Sequence, residues 1–298
     1  MNMYPFIEAE KAGQGNVMVT CELFCVSRSA YYEWEKKDAS RRELGDADLG
    51  EQIRRIHKKS RQTYGAPRVH WALRQQGERC SRKRVARLMR QLGLVGRYPK
   101  RWKKTTIADP GARATALDLI GRNFKPGTHL DHTWAGDITY VRTWEGWMYL
   151  ASVIDLASRR VVGWATADHM RAELVGDALE MAIGARHPKP GLIFHSDRGS
   201  QYTSGTFTRL LTAHGIQQSL SRPRQCWDNA VSEAFFSTLK AELLHRQSWP
   251  TRSLARRAIF EFIEVFYNRQ RLHSTLGYLS PAAYEASLIQ PIRGAHAA

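Results

Sequence analysis

The sequence predicts a mixed α/β protein, a sheet covered by helices on both faces, preceded by small all-helical modules. Three observations predict it. Up to about residue 96, apolar residues recur at three- and four-residue steps between capping residues and glycines. From about residue 130 they gather into short β-rich runs that alternate with helical patterns. Basic charge is concentrated in one stretch, residues 52–104. At 298 residues the chain suits about two or three domains.

The helical region opens at residues 17–35. Cys21, Phe24 and Val26 share one rhythm, and Ser27 is a cap for a following segment with Ala30, Tyr31 and Trp34. The charge of this pair is nearly balanced, so it suits a packing or dimerisation hairpin as well as DNA contact. Next, Pro67 fits a first helical position and Val69, Ala72, Leu73 and Gln76 follow, predicting a helix over 67–76. Gly77 breaks the run. Ser81 is a good N-cap, and Val85, Leu88, Met89 and Leu92 then repeat until Gly93. This is a helix-turn-helix pattern whose second helix carries Arg82, Lys83, Arg84, Arg87 and Arg90. Three of those cations lie in the first turn, where the macrodipole disfavours them unless a phosphate is near. Beyond it, Arg97, Lys100, Arg101, Lys103 and Lys104 form a basic linker. Its Tyr98 and Trp102 suit stacking on bases or docking onto the next domain.

Strand signals follow at residues 138–141, 148–154 and 161–166. Leu174, Val175, Ala178, Leu179 and Ala182 mark a helix, residues 191–194 a buried strand, Phe207, Leu210, Leu211 and His214 a helix, and residues 216–220 a last strand before a final helix. The order is β-β-β-α-β-α-β-α. A further helix at 254–267 repeats Ala255, Ala258, Ile259, Phe262, Ile263 and Phe266 and should pack on the core. Arg269, Arg271 and His273 after it suit either a DNA strand or a solvated basic turn. The expected divisions are 1–44 for an N-terminal helical module, 45–96 for the basic helix-turn-helix, 97–129 for the linker, 130–245 for the α/β core and 246–298 for the C-terminal helix and tail.

Composition narrows the partners. Residues 52–104 hold 18 Lys or Arg and a single acid, Glu78, so this stretch alone equals the net charge of the chain, +17. Such a concentration attracts phosphate and releases counterions, which points to nucleic acid ahead of an acidic membrane. No apolar run reaches the roughly 18 residues of a spanning helix, and Glu8, Glu10 and Lys11 interrupt any secretion signal. A cytoplasmic, nucleoid-associated protein without membrane attachment is expected. Cys21, Cys25, Cys80 and Cys226 have neither zinc-ligand spacing nor a disulfide pattern and are read as reduced thiols.

Three acids stand out. Asp137 opens the first strand run, Asp197 ends the fourth, and Glu233 lies one turn into a helix for which Asp228 is the expected cap. A lone strand-end Asp is more often a turn or cap residue, and Asp155 is read that way. As a set, carboxylates suit hard divalent ions whose remaining positions phosphates fill. Two such ions would stabilise the attacking and departing oxygens of a phosphodiester displacement. Lys240 shares a helix face with Glu233, seven positions away, and is suited to hold a phosphate. His195, two residues before Asp197, is read as a packed strand-end side chain before a substrate contact, and Asn229 as an aid to helix entry.

These residues carry a resemblance. Trp134-Ala-Gly-Asp-Ile-Thr-Tyr140, His195-Ser-Asp-Arg-Gly-Ser-Gln-Tyr202 and the Asp-Asn-Ala-x-x-Glu run ending at Glu233 resemble the integrase core of bacterial insertion-sequence transposases. More narrowly, the chain is similar to the second-reading-frame product of the family named after insertion sequence three. The 35 residues between Asp197 and Glu233 match the family's D-D-(35)-E pattern, with Lys240 as its basic residue. Residues 26–34, 64–68 and 267–281 also look like family segments, so the likeness runs from about residue 18 to 285. The resemblance implies an RNase H-like core with a mixed five-stranded sheet that binds two Mg²⁺ ions, or Mn²⁺ as substitute, through Asp137, Asp197 and Glu233. It implies 3′-end cleavage and strand transfer on double-stranded DNA, both terminal inverted repeats and target. It also implies a homo-oligomer, dimer or tetramer, and an upstream-frame product, fused or separate. No covalent protein intermediate is expected, so Ser196, Ser200 and Cys226 are not read as nucleophiles. Cys25 departs from the family pattern and is expected as a buried thiol. The rival reading is a non-catalytic DNA-binding regulator derived from a transposase.

Overall fold

A computed structural model describes residues 3–36, 40–98, 118–121, 124–222 and 229–289. Lys100, Arg101, Trp102, Lys103, Lys104, Cys226, Asp228 and most of the expected linker lie outside the described residues. Two compact units divide the chain, Met1–Ile53 and Arg54–Ala298.

In the first unit, α1 (Tyr4–Ala12), α2 (Val17–Leu23) and α3 (Arg28–Glu35) close around Ile7, Cys21 and Tyr31, with Tyr4, Val17, Phe24, Val26 and Trp34 packed against them. The α2–α3 pair matches the sequence pattern. Asn16 caps α2 by accepting the Met18 N–H, and Ser27 stands at the N-cap of α3. Cys25 is exposed, not buried as expected, because it takes a left-handed turn conformation (φ 52°) between the two helices and its side chain points outward. α1, with Pro5 in its first turn, forms where the sequence pattern indicated nothing. Residues 41–59 form one helix, α4 (Arg41–Lys59), which runs through the 44/45 division read from the sequence and enters the second unit.

The second unit begins with the helix-turn-helix, α5 (Ala66–Gln75) and α6 (Arg82–Gln91), within two residues of the expected bounds. The Ser81 hydroxyl caps α6 by accepting the Arg84 N–H at 3.2 Å. Val69 and Leu73 from α5 and Val85, Leu88 and Met89 from α6 are buried.

A five-stranded sheet follows, in the order β3-β2-β1-β4-β5. β1 (Thr133–Thr143), β2 (Gly146–Asp155) and β3 (Val161–Ala167) make an antiparallel meander, and β4 (Ile193–Ser196) and β5 (Gln217–Leu220) add parallel strands beside β1. α7 (Ala172–Arg186) lies on β2 and β3, and α8 (Gly205–Ala213) on α7 and β5. One face packs Trp134, Val153 and Phe194 against Leu174, Val175 and Leu179 of α7 and Phe207 and Leu211 of α8. α9 (Ala230–Glu242) and α10 (Arg252–Phe260) contact β1. The element order is the one read from the sequence, and the fold class with it. Glycine is required at position 163, where a Cβ would sit 2.2 Å from the Ala178 carbonyl oxygen of α7.

Two local readings change. β1 starts about five residues before the expected run, because Thr133, Trp134 and Ala135 pair in parallel with Ile193, Phe194 and His195. Asp137 is therefore mid-strand rather than at its opening. The helix expected over 254–267 is α-helical only to Phe260 and continues as a π-helical stretch, Glu261–Tyr267. Phe262, Ile263, Phe266 and Tyr267 of this stretch are all buried, as the sequence pattern expected of a segment packed on the core. α11 (Pro281–Ile289) ends the described chain.

Arg271 and His273, read as a DNA contact or a solvated turn, are neither. Arg271 is buried and clamps Glu242 with two hydrogen bonds of 2.7 and 2.8 Å, and His273 is buried beside Tyr267. Arg269 is exposed. The same turn receives the helix-turn-helix region. The Tyr64 hydroxyl donates to the Gln270 carbonyl and accepts the Leu272 N–H, Arg68 Nε donates to the Leu272 carbonyl, and Trp71 stacks on Tyr278.

Candidate active site

β1 and β4 bring the first two acids together. Ala135 and His195 are register partners, so Asp137 and Asp197 each lie two residues beyond a matched pair on adjacent parallel strands, which run about 4.8 Å apart. Side chains alternate along a strand. Trp134 and Phe194 belong to the core under α7 and α8, so Ala135, Asp137, His195 and Asp197 belong to the opposite face. Gly136 separates the two sets because a Cβ there would meet the Phe194 ring at 2.4 Å. Asp137 is half-buried and Asp197, just past the strand end, is exposed. Asp137 Oδ1 accepts the Ile138 N–H, and Asp197 Oδ1 accepts the Gly199 N–H at 3.0 Å.

α9 supplies the third acid. It is tied to the site strand by Asn229, whose amide donates to the Gly136 carbonyl at 3.1 Å from the N-cap position. Glu233 follows in the first turn and is exposed, while Lys240 is half-buried with its Nζ 5.3 Å from the Tyr140 ring centroid.

Electrostatics link the set. Burial, together with the negative charges of Asp197 and Glu233, pushes the Asp137 carboxyl up from 3.8 to about 8, against the opposing pull of the Ile138 N–H and Lys240. Burial raises Glu233 and lowers Lys240, the latter opposed by Asp137. Tyr202, fully enclosed below the two aspartates, is also raised, by burial and then by their charge. Among the described residues no three His, Cys, Asp or Glu side chains form a ready-made metal-ligand group. The donor chemistry nonetheless fits a hard cation: oxygen ligands only, with like charges crowding Asp137 that a divalent ion would neutralise.

The remaining sequence candidates divide. Arg82, Lys83 and Arg90 on α6 and Arg97 beyond it are exposed, whereas Arg84 and Arg87 are half-buried and Arg87 donates to Gln91. His195 is fully buried, its ring nitrogens 2.8 Å from the Ser219 hydroxyl and 3.3 Å from that of Ser221, so it is a packed side chain. Asp155 accepts the Ser158 N–H and hydroxyl as a turn residue. Sequence reasoning passed over Tyr140, although it ends the motif around Asp137, because an aromatic on a strand reads first as core.

Known proteins resemble this chain along most of its length. The family description "Integrase core domain" matches residues 127–226, a second of the same description matches 214–281, and "HTH-like domain" matches 43–102. An insertion element IS600 uncharacterized 31 kDa protein of Shigella sonnei is 40% identical over 264 residues, covering 89% of this chain and 96% of that protein. The transposase InsF for insertion sequence IS3A of Escherichia coli (strain K12) is 37% identical over 284 residues, covering 95% and 98%. Among solved structures, a simian T-cell lymphotropic virus intasome overlays with a TM-score of 0.46 at 17% identity over 63% of this chain and 65% of that one. The integrase core seen in the sheet, the helix-turn-helix before it and these full-length relatives lead to one statement: the chain belongs to the family of insertion sequence IS3 transposases.

Proposed function

We propose that the chain cuts the 3′ ends of its insertion sequence and joins them to target DNA, with Asp137, Asp197 and Glu233 as the ligands of two Mg²⁺ ions. The observation that carries this reading is the β1–β4 register, which supports Asp137 and Asp197 as neighbours on one face, with Glu233 felt in the charge at Asp137. Bound there, Mg²⁺ or Mn²⁺ supplies Lewis-acid stabilisation of the oxygens of the phosphodiester displacement. Lys240 binds a phosphate oxygen beside the carboxylates, and Asn229 holds the Glu233 helix to the strand carrying Asp137. Water attacks the scissile phosphorus in the first step and the 3′-oxygen departs. In the second step the freed 3′-hydroxyl attacks a target phosphodiester and the target strand's own 3′-oxygen departs, so the protein itself forms no covalent bond. The exposed Arg82, Lys83, Arg90 and Arg97, with Arg84, Arg87 and the linker's Lys100, Arg101, Lys103 and Lys104, hold double-stranded DNA by its phosphates. Joining two separated ends calls for a dimer or tetramer, and the upstream-frame product is the expected further partner.

The test is nicking and strand transfer on element-end duplex with Mg²⁺. Asp137→Asn, Asp197→Asn and Glu233→Gln each lower the rate by about 10³-fold or more, while DNA affinity stays within about twofold, since a transition-state contact is lost and the phosphate contacts remain. Unchanged activity in all three refutes the assignment. Salt-sensitive binding without cleavage under any divalent ion identifies a DNA-binding regulator instead.

A further inference from the structure

The β1–β2 hairpin leaves three large aromatic side chains in water: Tyr140 is 60% exposed, Trp144 76% and Trp147 47%. Tyr140 and Trp147 meet edge to face, their centroids 5.2 Å apart at 87°, so the pair is pre-arranged rather than loose. Lys240 stands over the Tyr140 ring and also acts on the charge of Asp137, so one cation lies between Tyr140 and the first carboxylate. Tyr140 is three residues beyond Asp137 on an extended strand, about 10 Å along it.

The placement restricts what can bind. Tyr140 is an odd number of residues from Asp137 and so falls on the other face of β1. The register with β4 ends at Ala135, which leaves β1 open on that side at Tyr140 among the described residues, and Lys240 lies across this open edge. A paired duplex seated over the carboxylates cannot fold around the edge of a strand, whereas one unpaired nucleotide can. Charge agrees with a nucleotide. Between Asp137 and Asp155 the hairpin has one acid, Glu145, which accepts the Arg252 backbone N–H, and Arg142 is exposed among the aromatics.

We propose that Tyr140 and Trp147, with Lys240 on the adjoining phosphate, form a stacking platform for an unpaired nucleotide of the DNA strand whose neighbouring phosphate occupies the carboxylate site. This rests on the site reading above and adds the state of the DNA: the end is frayed when it is held. Stacking on aromatic side chains tolerates any base, so the platform selects strandedness rather than sequence.

The experiment uses the full chain in EDTA, so that binding is read without cleavage. Short duplexes carry 2-aminopurine at the terminal position, either fully paired or with the last bases mismatched. The chain binds the frayed duplex about 5- to 100-fold more tightly than the paired one, the worth of one stacked base, and 2-aminopurine emission falls on binding. Tyr140→Ala and Trp147→Ala lose both the preference and the quench, while Tyr140→Phe, which keeps the ring, retains them. Equal affinity of the wild-type chain for both duplexes, or a preference that survives both alanine variants, overturns the proposal. So does a shift to a smaller species in sedimentation of Trp147→Ala with the preference intact, which would assign the aromatics to a second copy of the chain. A chain that prefers frayed ends but never cuts DNA would sink the catalytic reading and leave this one standing.

Discussion

Two sets of acids share the α/β core, and their surroundings treat them oppositely. Glu242 is fully buried against Arg271, and Glu285 is held by Arg160, Arg186 and the Ser158 hydroxyl. Asp131 takes Arg186 and the Trp134 indole N–H, and Asp155 takes Ser158. Each of these charges meets a cation or a hydroxyl, with Arg186 shared by Asp131 and Glu285 and Ser158 by Asp155 and Glu285. Asp137, by contrast, has Asp197 and Glu233 as the charges that raise it, with only the Lys240 charge and the Ile138 N–H in opposition. Acids with built-in partners fasten elements: Glu242 ties the end of α9 to the 268–273 turn, and Glu285 ties α11 to the strand ends. Acids set against one another leave an unmet demand for positive charge, which is the property of a cation site.

The sharpest way to break this comparison is to remove one member from each set and measure urea unfolding. Arg271→Met strands Glu242 in the core and lowers stability by about 3–5 kcal/mol, whereas Asp137→Asn removes a repulsion and leaves stability equal or higher. Equal losses from both would show that the two sets are alike. In EDTA the Asp137 carboxyl at about 8, against an ordinary value of 3.8, also sets a pH signature. Between those values the folded chain holds a proton that the unfolded chain has released, so stability falls as pH rises through the window and levels off above it. Asp137→Asn flattens this slope, and a slope that persists in the variant assigns it elsewhere.

Magnesium sharpens the contrast further. An ion that binds only the folded chain raises stability by about 2.7 kcal/mol at a hundred times its Kd, so a thermal shift with Mg²⁺ is expected in the wild-type chain and is absent in Asp137→Asn, while Arg271→Met keeps it. The smallest effect belongs outside both sets. Lys83→Ala on α6 reduces the salt dependence of DNA affinity by about one phosphate contact and leaves the thermal shift untouched.

Much of this was legible along the chain. Ser81 before Arg82–Gln91, Gly77 and Gly93 at the helix ends, and the β-rich runs of the meander are signals among near neighbours, and the structure repeats them. The motifs around Asp137 and Asp197 were equally plain. α4 was missed because its polar, charged sequence lacks a clear apolar stripe. Cys25 was misread because burial was inferred from residue type, while the backbone turn at that position decides which way the thiol points. Arg271 was read as a DNA contact or part of a solvated turn because basic residues after a helix suit both, and nothing near it in sequence announces Glu242, 29 residues earlier.

Residue type, spacing and caps act over one or two turns, so the amino-acid order alone determined the element order and the basic helix-turn-helix, and it singled out the three acids proposed as ligands. Contacts between remote segments depend on which strand pairs with which, and in what register, and that is set by burying a whole core at once. Folding alone therefore put Asp137 beside Asp197, 60 positions away, turned both to the face that α9 covers, and locked Arg271 onto Glu242.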